Sequence, residues 1–394
     1  MSASPMNFYY QIVILGALDK RANCFRRKVE AALEGLGIPT SSVRFFTAAD
    51  AGNRSSISPT MGVFFGSAEH TTDTVLVAEL IEESVVVAPV VSSVTSVNAE
   101  IPAQLSHVNA IALGPNDEGL DRLTSLVLET FRLLRRERRL FISYKRSGSQ
   151  PLAEKLYDAL DARGFDVFID VRSVPPGADF QSQLWHRMSD SDVVILIDTP
   201  GFREGRWTAE ELARANATNI QILHLLWPGQ KEDAASSFSH FMKLKRDDFI
   251  GLLPLRGRWA TKKVIARICD EAERLRAPAI AARQRYLVDS FCDAARDQGF
   301  TPAVQVDGWI SLSNRSDRTL AVVPAIGVPT SDRINEVFEA VTDPDVQAGQ
   351  IWMIYDNRGI LHTWLSHLDW LDTHLPVRAV KMTQAAEMLA GLDR

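Results

Sequence analysis

Apolar runs alternate with polar loops along the whole chain, and the spacing within the runs switches between that of a buried strand and that of an amphipathic helix. The alternation is clearest between residues 140 and 212. Residues 140–144 form an apolar run that stops at Lys145, Arg146, Ser147, Gly148 and Ser149; Leu152, Leu156 and Leu160, with Ala153 and Ala159, then keep helical spacing. Residues 165–169 are the next buried run, closed by Asp170. Val174, Pro175, Pro176 and Gly177 predict a loop, because proline neither donates to a ladder nor continues a helix. Residues 180–188 predict a short amphipathic helix, and 192–197 a third strand with no polar face. Strands without a polar face need cover on both sides, so the pattern predicts a parallel sheet between helices. In such folds the ligand crevice lies beyond the carboxyl ends of the strands. Loop 145–149, loop 170–178 and the stretch from Thr199 to Trp207 all belong to that edge.

The flanks read as further α/β units. Residues 1–135 predict strands at 11–15, 43–46, 61–65, 85–91 and 109–113 and helices at 25–36, 74–81 and 120–134. Their order echoes the central segment, residues 136–275. After Trp227, Pro228 and Gly229, residues 249–255 predict the edge strand of the central sheet and 262–275 a closing helix. Pro278 marks the next boundary. Residues 279–394 predict a third unit with helices at 285–295 and 334–341 and strands at 309–312, 320–323 and 351–355. Its tail carries Trp364 and Trp370, assigned to core or subunit contact. His362, His367 and His374 read as lying on different helical faces, which argues against a metal site. The cluster Arg132, Arg135, Arg136, Arg138 and Arg139 reads as a solvated helix end, where positive charge is favoured, with binding of a phosphate or an acidic partner as the alternative.

Composition narrows the classes. At 394 residues, 46% hydrophobic and 23% charged, the chain is long enough for two or three cores, and its net charge of −6 disfavours a broad nucleic-acid face. The three cysteines, Cys24, Cys269 and Cys292, fit neither a disulfide framework nor a zinc site, so the cytoplasm is the expected compartment. No stretch approaches the eighteen or so apolar residues of a membrane span, and the first residues lack the pattern of a signal peptide.

The central segment resembles a TIR (Toll/interleukin-1 receptor) domain, and is more similar to its NAD-cleaving members, including the TIR of the animal axon-degeneration enzyme, than to receptor adaptors. The resemblance rests on Phe141, Ile142, Ser143 and Tyr144 with the basic pair Lys145 and Arg146; on Ser149 and Gln150; on Val167 to Val171; and on Trp207 followed four positions later by Glu211. It extends weakly through Trp227 and Pro228. The resemblance implies a flavodoxin-like TIR domain with a parallel sheet, flanked by two further α/β domains. The first of these is then a TIR-like or flavodoxin-like companion without the Tyr-Lys-Arg loop and the Trp-Glu motif, although common β/α architecture explains the echo equally well.

What the resemblance implies for chemistry falls on named positions. Glu211 corresponds to the catalytic glutamate, Lys145 and Arg146 to the basic pair beside the dinucleotide, and Phe168 and Trp227 to aromatics near the nucleotide rings. Tyr144 and Trp207 complete the expected substrate-binding set, and 171–178 corresponds to a loop that reaches toward a neighbouring subunit. NAD+ is the expected substrate, with no cofactor and no metal. The expected partners are other copies of the chain and an upstream activator protein or nucleotide signal, in an anti-phage immune setting. Breaking the bond between ribose and the cationic nicotinamide ring puts positive charge on the sugar, which one carboxylate stabilises; nothing needs protonating on departure. Arg146 has bidentate geometry for a diphosphate. Plainer roles stand beside these. Glu211 also fits the first turn of a helix, Lys145 and Arg146 a solvated loop, Phe168 a core strand, and Trp227 a strand end. The alternatives for the whole chain are a non-enzymatic TIR scaffold and an enzyme releasing a cyclic ADP-ribose.

Overall fold

The computed structural model describes residues 10–68, 72–114, 119–169, 180–202, 218–232, 239–250, 260–305, 307–313, 319–341 and 350–392. The chain divides into two compact units, residues 1–136 and 137–394.

The first unit runs β1 (Tyr10–Gly16), α1 (Lys20–Gly35), β2 (Val43–Thr47), β3 (Thr60–Phe65), α2 (Thr74–Glu82), β4 (Val86–Val91), α3 (Val97–Glu100), β5 (Ile111–Ala112) and α4 (Leu120–Thr130). Its five strands lie in the order β2-β1-β3-β4-β5 and every neighbouring pair is parallel. This is the flavodoxin-like order. The strands are nearly continuous apolar runs because both faces are covered: Val13, Leu15, Phe64, Val87 and Val91 pack with Val77 and Leu80 of α2. Gly16 closes β1 at φ +76°, where a side chain would overlap the Phe65 carbonyl, and Asp73 accepts its N–H at 2.8 Å.

The second unit contains two sheets. The first is built from β6 (Arg139–Tyr144), α5 (Arg146–Asp161), β7 (Asp166–Ile169), α6 (Phe180–Asp190), β8 (Val193–Asp198), β9 (Gln221–Leu226) and β10 (His240–Lys243). Its order is β10-β9-β8-β6-β7, parallel throughout, so counted in chain order it repeats the 2-1-3-4-5 arrangement of the first unit. Alternation sends Leu140, Ile142, Ile195, Leu223 and Leu225 to one face, against α5, and Phe141, Val194, Leu196 and Ile222 to the other, against Leu184, Trp185 and Met188 of α6.

A 36-residue helix, α7 (Lys262–Asp297), closes the first face. It continues into a second, mixed sheet: β11 (Thr301–Val304), β12 (Ile310–Ser313), β13 (Thr319–Ala325), α8 (Ser331–Val341), β14 (Gln350–Tyr355), α9 (His362–Leu371), β15 (Val377–Lys381) and α10 (Ala385–Leu392). The five strands follow chain order, with β12 antiparallel to both neighbours and β13, β14 and β15 parallel.

Four expectations change. Pro278 does not end a helix, because Val264, Ile268 and Ala272 are buried on the first sheet and Leu287, Phe291 and Ala295 on the second. Packing at both ends outweighs the roughly 3 kcal/mol that an internal proline costs. The edge strand is His240–Lys243, not 249–255; Phe249 makes only an isolated antiparallel bridge to Ala260. The expected loop 145–149 is shorter, because α5 begins at Arg146, with the Lys145 carbonyl accepting from Gly148 and Ser149 N–H. Of the two roles expected for Trp370 the core is excluded, since it is 56% exposed, and its ring lies between those of His367 and His374, so these two histidines share a side. No cluster of metal-binding side chains occurs among the described residues.

Candidate functional site at the carboxyl edge of the central sheet

The carboxyl ends of β6 and β8 are adjacent in the sheet, and this adjacency builds the rim. Chain reversal after β8 is tight: Phe202 N–H donates to the Thr199 carbonyl at 2.9 Å, and Gly201 takes φ +73°. Phe202 itself turns inward and joins the core formed with α6. Lys145, immediately after β6, donates from Nζ to the Gly201 carbonyl at 3.1 Å while the rest of its side chain stays exposed. The basic loop and the start of the segment leading to Trp207 and Glu211 are thereby tied to one edge.

Beneath that rim lies a buried polar pair. His224 Nε2 and Asp198 Oδ2 are 3.0 Å apart and both side chains are fully enclosed. Asp198 also fixes the next strand through its backbone, accepting the Trp227 N–H at 3.1 Å. Thr199 is buried beside it, and neither Thr199 Oγ1 nor His224 Nδ1 has a hydrogen-bond partner among the described residues. The pair was missed in the sequence although a signal exists. His224 interrupts an otherwise apolar strand, Asp198 ends another, and neighbouring parallel strands bring such interruptions together.

The expected site residues divide into four groups. Lys145 stands at the rim as described. Tyr144 and Trp227 lie in the core: both belong to the cluster against α5 and α7, Trp227 is 1% exposed, and its ring packs on Phe249 at 4.8 Å. Strand alternation is the reason, since Trp227 continues the inward series Leu223 and Leu225. Phe168 is half-buried against the α6 cluster, and the Arg187 guanidinium covers its ring at 4.0 Å, so one aromatic face already holds a cation. Glu211, Trp207, the loop 171–178 and the side chain of Arg146 lie outside the described residues.

Comparison with known proteins agrees with this architecture. Residues 140–250 match the sequence profile of the TIR domain. No curated protein matches the chain. Among solved structures, a metazoan TIR-STING receptor from C. gigas is similar at 14% identity, covering 61% of this chain and 88% of that one, with a TM-score of 0.22. That superposition is too loose to carry an argument, and the assignment rests on the profile match. Residues 140–250 of this chain form a TIR domain.

Proposed function

We propose that the TIR domain cleaves the nicotinamide N-glycosidic bond of NAD+, with Glu211 as the carboxylate that stabilises the sugar cation, and that self-association switches the activity on. The observation that carries this reading is the link from Lys145 to the Gly201 carbonyl. It gathers the basic loop and the start of the Trp207–Glu211 stretch at the carboxyl edge, where α/β sheets bind ligands. In the reaction the bond between C1′ and the ring nitrogen breaks, and its electron pair neutralises the nicotinamide ring. Water then bonds to C1′ and loses a proton to solvent, giving ADP-ribose. Positive charge develops on the ribose between these events, so a preorganised carboxylate lowers the barrier where it is highest. Lys145 supplies a cation for the diphosphate.

An anti-phage effector that depletes NAD+ inside the cell is the biological setting this reading suggests. No helix among the described residues is long and apolar enough to cross a membrane. The test is an assay of NAD+ products from concentrated full-length protein, with wild type and Glu211→Ala side by side. Nicotinamide release that disappears in the variant supports the reading. Release at the wild-type rate from Glu211→Ala removes Glu211 from the mechanism, and no release in any assembled state favours a scaffold. A cyclic product in place of ADP-ribose changes the nucleophile, not the site.

A further inference from the structure

Lys145 owes its place at the rim to a turn that belongs to another strand. Its acceptor, the Gly201 carbonyl, lies just beyond the end of β8, in the reversal closed by the Phe202 N–H on the Thr199 carbonyl. Phe202 anchors the far side of that reversal in the core against α6. The near side begins at Asp198, and two bonds pin this residue to β9. Its carbonyl accepts the Trp227 N–H at 3.1 Å, and its carboxylate lies 3.0 Å from His224 Nε2. A carboxylate only accepts, so the imidazole carries its hydrogen on Nε2 and donates it.

The side-chain bond is the one that strand pairing does not require. The ladder between β8 and β9 runs to Asp198 and Leu226 whatever the side chains are. On the same face Val194, Leu196 and Ile222 are apolar, and the polar pair, 1% exposed on both sides, falls at the row that adjoins the turn. Enclosing a carboxylate is costly, and an apolar pair of similar size would hold two strands as well or better. Stability alone therefore gives no reason for the pair, whereas its place beside the turn does.

We infer that His224 is a positioning residue of the TIR site: through Asp198 it fixes the turn 199–202 against β9, and the turn so placed holds the Lys145 ammonium where a ligand's diphosphate is received. The ligand is that of the proposed NAD+ reading, on which the inference rests. His224 is enclosed and touches no substrate. The Trp227 bond and the Phe202 ring keep the reversal formed when the pair is lost, so the expected effect is a shift of the turn rather than its release. A displacement of about 1 Å can cost roughly a hundredfold where it reaches the reacting atoms. Here it reaches one binding contact, so KM should rise by about three- to tenfold with kcat less affected.

The test is a double-mutant cycle on full-length protein. His224→Phe, Lys145→Met and the two together are assayed for steady-state NAD+ cleavage. Beside them stand His224→Gln, which keeps an N–H donor, and Arg276→Ala, which breaks the buried pair just before β8. His224→Phe should raise KM as stated, His224→Gln should recover most of the change, and in the Lys145→Met background the effect should vanish, since the ammonium that the turn places is gone. Arg276→Ala should lower Tm at least as much and leave KM within about twofold. Amide hydrogen exchange is read in parallel, and in His224→Phe the Phe202 amide should speed at least fivefold more than the amides of 194–197. An unchanged KM in His224→Phe, full additivity in the cycle, or an equal KM change in Arg276→Ala overturns the proposal. Where His224→Phe does not fold, Asp198→Leu breaks the same pair without leaving a carboxylate, and the same KM change and the same cycle are required of it. Should no protein, wild type included, cleave NAD+, the proposed activity fails on its own and exchange decides: acceleration concentrated at Phe202 upholds the positioning role, and equal acceleration across 194–202 refutes it.

Discussion

The ion pair between Arg276 on α7 and Asp192, the residue before β8, gives a quantitative test of how α7 is fixed to the TIR sheet. Arg276 Nε donates to Asp192 Oδ2 at 2.8 Å and both side chains are 0% exposed. At an effective dielectric constant of about 20, two unit charges at that distance attract by about 6 kcal/mol. Desolvation costs several kcal/mol per ion, so the pair as a whole contributes little net stability. Removing one partner is different. Asp192→Ala or Arg276→Ala breaks this enclosed ion pair from one side, and each should cost about 3–5 kcal/mol. The double variant Asp192→Val, Arg276→Met, which leaves no charge, should lose much less than the sum of the singles. At roughly 2–4 °C per kcal/mol for a unit of this size, either single change should lower Tm by about 6–20 °C in calorimetry of the full chain. A loss below about 1 kcal/mol in either single variant, or strict additivity in the double, would refute the reasoning. It would mean that water or other polar groups solvate the pair.

Three further outcomes follow from the site and from the end of α6. Lys145→Met removes the ammonium that reaches the Gly201 carbonyl; in steady-state NAD+ cleavage KM should rise several-fold with kcat less affected, while Tm moves little because the bond is exposed. His224→Phe leaves the enclosed Asp198 carboxylate without its imidazole and should cost about 2–4 kcal/mol, read as a drop in Tm that His224→Gln partly restores. His186 is held below its ordinary value of 6.5, chiefly by burial, with Asp190 opposing and Arg187 and Arg139 reinforcing the shift. A histidine depressed in the folded state contributes stability that is present above pH 6.5 and lost as pH falls through the folded value. Protonation also removes the acceptor for the Leu361 N–H, so Tm should drop on going from pH 7.5 to 5.5, and His186→Gln should flatten that difference.

Much of the fold was legible in the sequence because the parallel strands are buried on both faces and read as unbroken apolar runs. Strands at 140–144, 192–197 and 85–91, and helices built on Leu152, Leu156 and Leu160 or on residues 74–81, follow from local periodicity alone. What local pattern cannot carry is long-range packing. The edge strand His240–Lys243 has no fully buried residue, so its composition gives no apolar run. The continuity of α7 depends on two cores that lie far apart in sequence. Trp227 shows the same limit within the site: a tryptophan after a strand suits a ligand platform or a core position equally, and the register of β9 decides for the core. The Asp198–His224 pair needed knowledge of which strands are neighbours, which no single apolar run contains.

The two sheets with 2-1-3-4-5 order separate architecture from chemistry within one chain. Both end their first strand at a rim where the next strand in the order is parallel and adjacent, so both create the crevice in which such folds bind ligands. In the first unit Gly16, Ala17 and Leu18 stand there; the Gly16 N–H is taken by Asp73, and Arg21 is turned onto the Gly66 carbonyl at 2.8 Å and onto Asp19. Its polar groups are spent on closing its own loops. In the TIR sheet the corresponding position carries Tyr144 and Lys145, and the ammonium of Lys145 reaches across to the chain that leads toward Glu211. A shared fold thus predicts where a site belongs in both units, but among the described residues the second presents an exposed cation there, tied to the turn at Gly201. NAD+ binding by the isolated first unit would contradict this division, and calorimetric titration of NAD+ into residues 1–136, whose own contiguous core supports folding alone, should show no heat of binding.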